Sequence, residues 1–425
     1  MKQNNRFGQM TLQYSLMVFP VAFAGIPIYI FLPDYYHNHF GLSLTFLSFS
    51  LFILRILDAL IDPLIGLYCD RFVRWHKISF LCIIGLFCLG FYMLCTPLLD
   101  ALKINLLLGL FLATFCFSYL SIFINTLGAL WKKAPEDKAR IISTRECFNI
   151  FGILCASILP FALSTAYAPS TSYFILSITF ITLILFAALF FLSWYKKSAI
   201  AEKFVAQKTT KPALIKPYFQ NINRHGCFLF ISYSISAFGS AIPAVMLVFY
   251  SRYVLQMPKF TGLYLFLYFL GTILAIPLIK KIALKQGIIK TWRHSIALAI
   301  IIFIGAYFLG PGDVLAFSII SFTSGLCFAA ELLLPNLLVA KWIDHPKRKA
   351  LGNGYYALLS FIAKSSLALA TIASLPWLDQ NLKIEQVLPD TVSLVKLLYC
   401  IMPCLIKAIA FIALLIWERT STQGA

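Results

Sequence analysis

The sequence predicts an all-α polytopic membrane protein with twelve transmembrane helices. Apolar residues make up 60% of the 425 positions and charged residues only 12%, whereas a soluble protein is about one quarter charged. A soluble fold of this length could not bury so much apolar surface. The apolar residues also recur in nearly uninterrupted runs of about 20, which are long enough to cross a hydrocarbon core of about 30 Å.

The apolar runs give the positions of the predicted spans. They cover residues 11–33, 43–69, 78–98, 104–130, 146–166, 171–195, 226–250, 260–280, 290–310, 313–340, 351–376 and 392–417. The first run continues beyond Ala22-Phe23-Ala24, which is similar to a signal-peptidase site, so we predict an uncleaved first span. The eleven cysteines are scattered along the chain with no C-x-x-C pair. We therefore predict neither a disulfide nor a metal site.

The distribution of Lys and Arg predicts which side of the membrane each loop faces. If both termini are cytoplasmic, the terminal segments and the loops on that side hold 26 of the 35 basic residues. The opposite loops hold only Lys103, Arg252, Lys259 and Lys383. This asymmetry follows the positive-inside rule and fits an even number of spans. We therefore predict a multi-pass protein of a bacterial inner membrane with both termini in the cytoplasm.

The net charge of +19 is explained by this topology and by attraction to anionic lipid. Nucleic-acid binding is excluded because the charge forms short clusters between spans and not one basic face. We also predict that the chain is not an enzyme, since a membrane enzyme would need a convergent catalytic set and the sequence has no H-E-x-x-H, no G-x-S-x-G and no phosphate-binding glycine loop. The lipid bilayer is therefore the predicted macromolecular partner, around a chain that we expect to be monomeric.

The chain divides near its midpoint into two predicted halves. Residues 196–225 form the longest polar stretch, and we predict that they are a cytoplasmic linker between six-helix bundles at 1–195 and 226–425. The pattern Trp-x3-Pro-x2-Lys-Ala follows the fourth span of each half, beginning at Trp131 and at Trp342. Parallel repeats of this kind are typical of major-facilitator transporters, which bind substrate near the membrane midplane between the halves.

Charged side chains within the second apolar run mark the predicted functional face. A charged residue at the centre of a span costs about 2.5–3.5 kcal/mol even on the mildest insertion scale, so it needs a partner or a water-filled cavity. Arg55, Asp58 and Asp62 follow one another at i, i+3 and i+7, within about 60° of arc on one helix face. Gly66 and Asp70 extend this face. The three charges could neutralise one another for packing, or the acidic pair could bind a transported cation.

Further polar residues lie within other predicted spans. Arg145 and Glu146 open the fifth span, and Asn149 follows one turn later. The tenth span carries Glu331, and the eleventh carries Lys364 deep within it. The acidic pair of the second span could bind Arg145 or Lys364 in one conformation and release it in another. Arg145 could instead be an interfacial side chain that reaches towards the headgroups.

The second span and several later positions resemble a known family signature. The residues concerned are Arg55-x2-Asp58-Ala59-x2-Asp62-Pro63-x2-Gly66-x3-Asp70-Arg71, preceded by Tyr35-Tyr36 and Gly41-Leu42-Ser43, and followed by Asn125, Ala129-Leu130, Arg145 and Ser360-Phe361-x2-Lys364. They are similar to positions of the glycoside-pentoside-hexuronide:cation symporters, the group of the melibiose permease. The resemblance implies that Asp58 and Asp62 bind the coupling cation. It also implies that Asn125, Arg145 and Lys364 line the sugar and cation pathway.

The chain departs from the melibiose permease where that protein binds its sugar and its sodium ion. Residues 11–33 contain no acidic residue, and Asn125 stands where the permease has an Asp. Ile61 replaces a polar residue that assists sodium binding, and the assisting Thr of the fourth span maps near Ser121-Ile122. Sodium needs several oxygen ligands, whereas two carboxylates in a low dielectric can share a proton. These departures favour proton coupling and argue against a galactoside substrate.

We therefore predict a secondary active transporter that works by alternating access. It would carry a sugar or another small polar solute together with H⁺ or Na⁺, and it would need no cofactor. Two alternatives of the same fold stay open, namely a transporter of lysolipid or lipid and a membrane receptor that does not transport. A closed polar pocket would favour a small solute, and a lateral gap with an apolar channel would favour lipid.

Overall fold

The computed structural model describes residues 2–28, 32–72, 76–198, 220–382 and 389–422. These residues form α-helices joined by short loops, with no β-strand among them. In chain order the helices are α1 (Lys2–Ser15), α2 (Val18–Ile26), α3 (Leu32–Phe40), α4 (Leu44–Arg71), α5 (His76–Cys95), α6 (Leu102–Trp131), α7 (Pro135–Ala166), α8 (Pro169–Lys197), α9 (Arg224–Phe249), α10 (Thr261–Gln286), α11 (Ile288–Ile304), α12 (Val314–Trp342), α13 (Pro346–Lys349), α14 (Gly352–Leu382), α15 (Pro389–Lys396) and α16 (Met402–Thr422). Short π-helical and 3-10 segments lie at Tyr250–Val254, Pro258–Phe260, Gly305–Phe308 and Leu397–Ile401.

Eleven helical stretches within the described residues are long and apolar enough to cross a membrane. Each of them overlaps one of the predicted spans. Helix α4 covers the remaining predicted span, and its 28 residues give it a length of about 42 Å at 1.5 Å per residue. Its central part carries three charged residues, Arg55, Asp58 and Asp62, so it is less uniformly apolar than the other eleven stretches. Helix α4 is nevertheless long enough to cross a membrane. If it is counted, the helices agree with the twelve predicted spans.

Helix α7 begins earlier than the predicted fifth span. The prediction started that span at residue 146, but the helix runs from Pro135 to Ala166. Proline suits the first helical turn because the N–H that it lacks would have no partner there. Two acidic residues follow in the same turn, where the helix dipole favours negative charge. Arg145 therefore lies in the third turn of the helix and is only 2% exposed.

The chain forms two compact units, and the first consists of Met1–Asn221 and Ala340–Phe361. A cluster of large aromatic side chains lies in the core of this unit. The ring of Trp194 is 4.8 Å from that of Tyr14 and 5.1 Å from that of Trp131, measured between centroids. These contacts hold the first helix against α6 and α8.

The second unit consists of Ile222–Val339 and Ile362–Ala425. Two glycines in this unit bring α10 and α12 into backbone contact. A Cβ atom on Gly271 would lie 2.3 Å from a carbonyl oxygen of α12, and one on Gly325 would lie 2.0 Å from a carbonyl oxygen of α10. Only glycine permits such a close approach of two helix backbones.

The predicted internal repeat marks equivalent points in the structure. Trp131 is the last residue of α6, and Trp342 is the last residue of α12. Pro135 and Pro346 begin the helices that follow. The division into six-helix bundles joined by a linker stays a prediction, because residues 199–219 lie outside the described part of the chain.

Candidate functional site

The two acidic residues at the centre of α4 are buried on one face of the helix. Asp58 is 7% exposed and Asp62 is fully buried, and the two lie about one helical turn apart. Ser118 of α6 donates a hydrogen bond from its Oγ to Oδ1 of Asp58 at 2.5 Å. The sequence did not single out Ser118, because serine is common in apolar helices. The structure thus adds a hydroxyl donor to the predicted carboxylate pair.

A small recess lies beside Asp58, between residues of α4 and α6. It is lined by Asp58, Thr114 and five apolar side chains, Leu54, Leu57, Ile61, Phe111 and Phe115. The Thr114 hydroxyl donates to the carbonyl oxygen of Leu110 at 2.8 Å, within its own helix. Ile61, which the sequence marks as a departure from the melibiose permease, is therefore part of a mainly apolar environment around Asp58.

The far end of the same α4 face caps another helix. The Asp70 carboxylate accepts hydrogen bonds from the backbone N–H of Asn353 at 3.0 Å and of Gly354 at 2.9 Å, and from the Asn353 amide at 2.8 Å. Both N–H groups belong to the first turn of α14, where helix geometry provides no partner for them. Gly66 lies against the same turn, since a Cβ atom there would be 2.7 Å from Cβ of Ala357. The predicted stripe therefore contains an acidic pair and, separately, a helix-capping contact.

Arg145 forms a buried ion pair with Glu146, its neighbour in sequence. Its Nε donates to Oε1 of Glu146 at 3.1 Å, and Asn149 donates to Oε2 at 3.3 Å. The structure thus brings two of the predicted site residues, Arg145 and Asn149, together around a single carboxylate.

Three other predicted site residues are half-buried. Arg55 lies on α4, one turn before the acidic pair, and Asn125 lies on α6. Lys364 lies on α14 within the second unit. The predicted pairing of Lys364 with the acidic pair, and the role of Asn125 in a substrate pathway, stay predictions.

Glu331 is part of a second ionic cluster, within the second unit. Its carboxylate pairs with Lys407 of α16 and accepts hydrogen bonds from Ser236 and Ser240 of α9. Lys407 Nζ also donates to Ser240 Oγ at 2.7 Å. Lys407 was not among the predicted site residues, although it is a charge deep within the last apolar run. The insertion cost that marks Glu331 in the sequence applies equally to this lysine.

The Glu331–Lys407 pair lies at one end of a pocket within the second unit. The pocket has a cavity volume of about 190 Å³ and is partly open to its surroundings. Its lining on α12 extends from Phe317 to Glu331, which corresponds to about 21 Å along the helix. Most of the other lining side chains are apolar, with aromatic rings contributed by Tyr264, Tyr268, Phe269, Phe303, Phe328 and Tyr399.

Comparison with known proteins identifies the class of this fold. Residues 13–418 match the model of the family described as MFS/sugar transport protein. No curated protein matches the chain. Similar solved structures include a bacterial homologue of the iron transporter ferroportin in its outward-facing state, with a TM-score of 0.71, 15% identity, and coverage of 97% of this chain and 99% of that chain.

Two further similar structures belong to transporters of the major facilitator superfamily. FucP in its outward conformation has a TM-score of 0.65 and 12% identity, with 96% of this chain and 98% of that chain covered. The proton:xylose symporter XylE, bound to 6-bromo-6-deoxy-D-glucose, has a TM-score of 0.66 and 15% identity, with 98% and 96% covered. These likenesses confirm the predicted major-facilitator fold. The family match over residues 13–418, together with the apolar helices, confirms a multi-pass membrane transporter in place of an enzyme.

Proposed function

The chain belongs to the MFS/sugar transport protein family of the major facilitator superfamily, and from this premise we propose that it is a cation-coupled symporter. It would carry a sugar or another small polar solute together with H⁺ or Na⁺, by alternating access. Asp58 and Asp62 would bind the cation, which is the role that the resemblance to the glycoside-pentoside-hexuronide:cation symporters implies for them. Arg145 and Lys364 would lie on the coupling pathway.

The observation that carries this proposal is the burial of two carboxylates one turn apart in α4. Asp58 is 7% exposed and Asp62 is fully buried, and removing a carboxylate from water costs several kcal/mol unless its charge is balanced. A cation that binds this pair would reduce that cost. Binding and release of the cation would therefore change the stability of this part of the helix, which is what coupling to transport requires.

Among the two coupling ions, we favour H⁺. The recess beside Asp58 is lined mainly by apolar side chains, including Ile61. The Thr114 hydroxyl in that recess is directed to a backbone carbonyl of its own helix. Sodium needs several oxygen ligands, whereas a proton needs only one carboxylate oxygen and a hydrogen-bonding neighbour such as Ser118.

The class of solute is inferred from the family and from one similar structure. The family model describes sugar transport proteins, and XylE is a proton:xylose symporter. The missing acidic residue in the first span and Asn125 both argue against a galactoside. We therefore propose a sugar other than a galactoside, or a small polar metabolite, as the solute.

The test uses the full chain in proteoliposomes with an imposed pH gradient or, separately, a Na⁺ gradient. Uptake of xylose, glucose and other labelled sugars is measured for the wild type and for the variants Asp58→Asn and Asp62→Asn. We expect gradient-driven uptake to fall by more than about tenfold in both variants, because the neutral amide cannot balance a cation. Exchange of solute without a gradient should continue, since it requires no net movement of the cation.

The matched control is Asp100→Asn, the same change at an exposed position in the loop before α6. This variant should keep gradient-driven uptake at the wild-type rate. Wild-type uptake by folded Asp58→Asn and Asp62→Asn proteins under a pH or Na⁺ gradient would show that the pair does not couple transport to a cation.

A further inference from the structure

We propose that the second unit holds a ligand site of its own, in the pocket beside the Glu331–Lys407 pair. The ligand is a neutral molecule with a ring-based apolar body and one or two hydroxyl or carbonyl groups. This inference rests on the residues of the second unit alone and does not depend on the proposed symport function.

The aromatic side chains in the walls of the pocket predict that the ligand has an apolar, ring-based body. The rings of Tyr264 and Phe317 meet edge to face with centroids 4.6 Å apart, and those of Tyr268 and Phe328 are 5.2 Å apart. All four residues line the pocket, as does Tyr399. Aromatic walls bind flat ring systems through stacked and edge-to-face contacts, and such walls with a few polar groups are typical of small-molecule sites.

The paired charges in the pocket lining predict that the ligand is neutral. Glu331 and Lys407 supply the charged side chains of the lining, and they neutralise each other. Ser236 and Ser240 donate to the carboxylate, while Lys407 Nζ lies 2.7 Å from Ser240 Oγ and 3.3 Å from Ser236 Oγ. A charged ligand would lose its hydration here, and the opposite charge that it needs is already paired with another side chain.

Two buried hydroxyl groups of the protein predict the polar groups of the ligand. Tyr264 and Ser324 line the pocket and are 1% and 9% exposed. Within the part of the chain that the structure describes, Tyr264 Oη and Ser324 Oγ have no hydrogen-bond partner. A buried polar group in this state destabilises the fold, so a ligand hydroxyl or carbonyl that satisfies either group gains affinity from it.

The experiment measures binding of 1-naphthol, a neutral hydroxylated ring system, to the full chain in nanodiscs. Equilibrium dialysis with labelled 1-naphthol is corrected with empty nanodiscs, which removes partitioning into lipid. We expect saturable binding of about one molecule per chain, as for a single preformed pocket. The anionic analogue 1-naphthoate should bind more than about tenfold more weakly, because the pocket offers it no unpaired cation.

Variants locate the binding at this pocket. Tyr264→Phe combined with Ser324→Ala keeps the shape and removes both hydroxyls, and we expect 1-naphthol binding to weaken by about five- to tenfold. The variant should fold, since it removes buried groups that lack partners. Ser324→Phe fills the pocket and should abolish binding, whereas Tyr307→Phe, a matched change on a side chain that is 42% exposed, should bind as the wild type does.

Three results would overturn the proposal. The first is an absence of saturable 1-naphthol binding to the wild type. The second is unchanged binding by the folded Tyr264→Phe/Ser324→Ala variant, which would place the bound probe elsewhere. The third is naphthoate binding as tight as that of naphthol, which would show that a charged ligand is accepted.

Discussion

Each of the two units buries an ion pair, and the two pairs are built in different ways. In the first unit, Arg145 and Glu146 are neighbours on one helix, and Asn149 of the same helix donates to the carboxylate. In the second unit, Glu331 and Lys407 come from α12 and α16 and lie beside a pocket. A pair within one helix depends little on neighbouring helices, whereas a pair between two helices also holds them together. The ion pair of the first unit thus stabilises a single helix, whereas that of the second unit joins two helices that line a cavity.

The largest losses of stability are expected where a pair loses its cation, and in the second unit this variant is Lys407→Met. This change leaves Glu331 buried without its cation, and breaking a buried pair in this way costs about 3–5 kcal/mol. Thermal unfolding of the purified protein in detergent measures the loss. The double variant Glu331→Gln/Lys407→Met should recover most of the stability, because it leaves no buried charge. A double variant as unstable as Lys407→Met would show that packing of the lysine stem matters more than charge.

A loss of similar size is expected for Arg145→Met in the first unit. This change leaves Glu146, which is 4% exposed, without its cation, and breaking a buried pair in this way costs about 3–5 kcal/mol. The one hydrogen bond that remains, from Asn149, offsets only part of that cost. The same unfolding measurement compares the two variants directly. A loss for Arg145→Met far below that for Lys407→Met would show that Glu146 does not need the guanidinium to balance its charge.

The smallest effects are expected for the single neutral donors. Ser240→Ala and Ser236→Ala each remove one hydrogen bond to the Glu331 carboxylate, at a cost of about 1.5–3 kcal/mol because the acceptor is charged. Ser240→Ala should cost more, because Lys407 Nζ is closer to the Ser240 hydroxyl than to that of Ser236, at 2.7 Å against 3.3 Å. Equal losses in unfolding temperature would contradict this order.

The sequence predicts the helices and the buried charges well, because both follow from the properties of single segments. Apolar runs predict spans, and a charge within a run predicts a residue that needs a partner. The same rule covers Lys407, which the prediction omitted. The partner itself cannot be predicted in this way, since Glu331 and Lys407 are far apart along the chain and only the packing of α12 against α16 joins them.

The sequence was least informative where polar residues continue a helix or cap one. The residues after Pro135 are polar and were predicted to be a loop, although they form the first turns of α7. Hydropathy measures transfer into lipid and does not separate a loop from a helix end that lies outside the apolar core. Asp70 extends the acidic face of α4 in the sequence, yet its hydrogen bonds to the first turn of α14 become visible only in the structure.

The backbone contact of α10 with α12 has a mechanical consequence for the pocket. Gly271 and Gly325 leave no space between the two helices, and Thr272 Oγ1 adds a hydrogen bond to the carbonyl oxygen of Gly325 at 3.0 Å. We therefore expect α10 and α12, which form one wall of the pocket, to move together. We expect expansion of the cavity to come from the other lining helices, of which α9 and α16 each contribute a proline, Pro243 and Pro403.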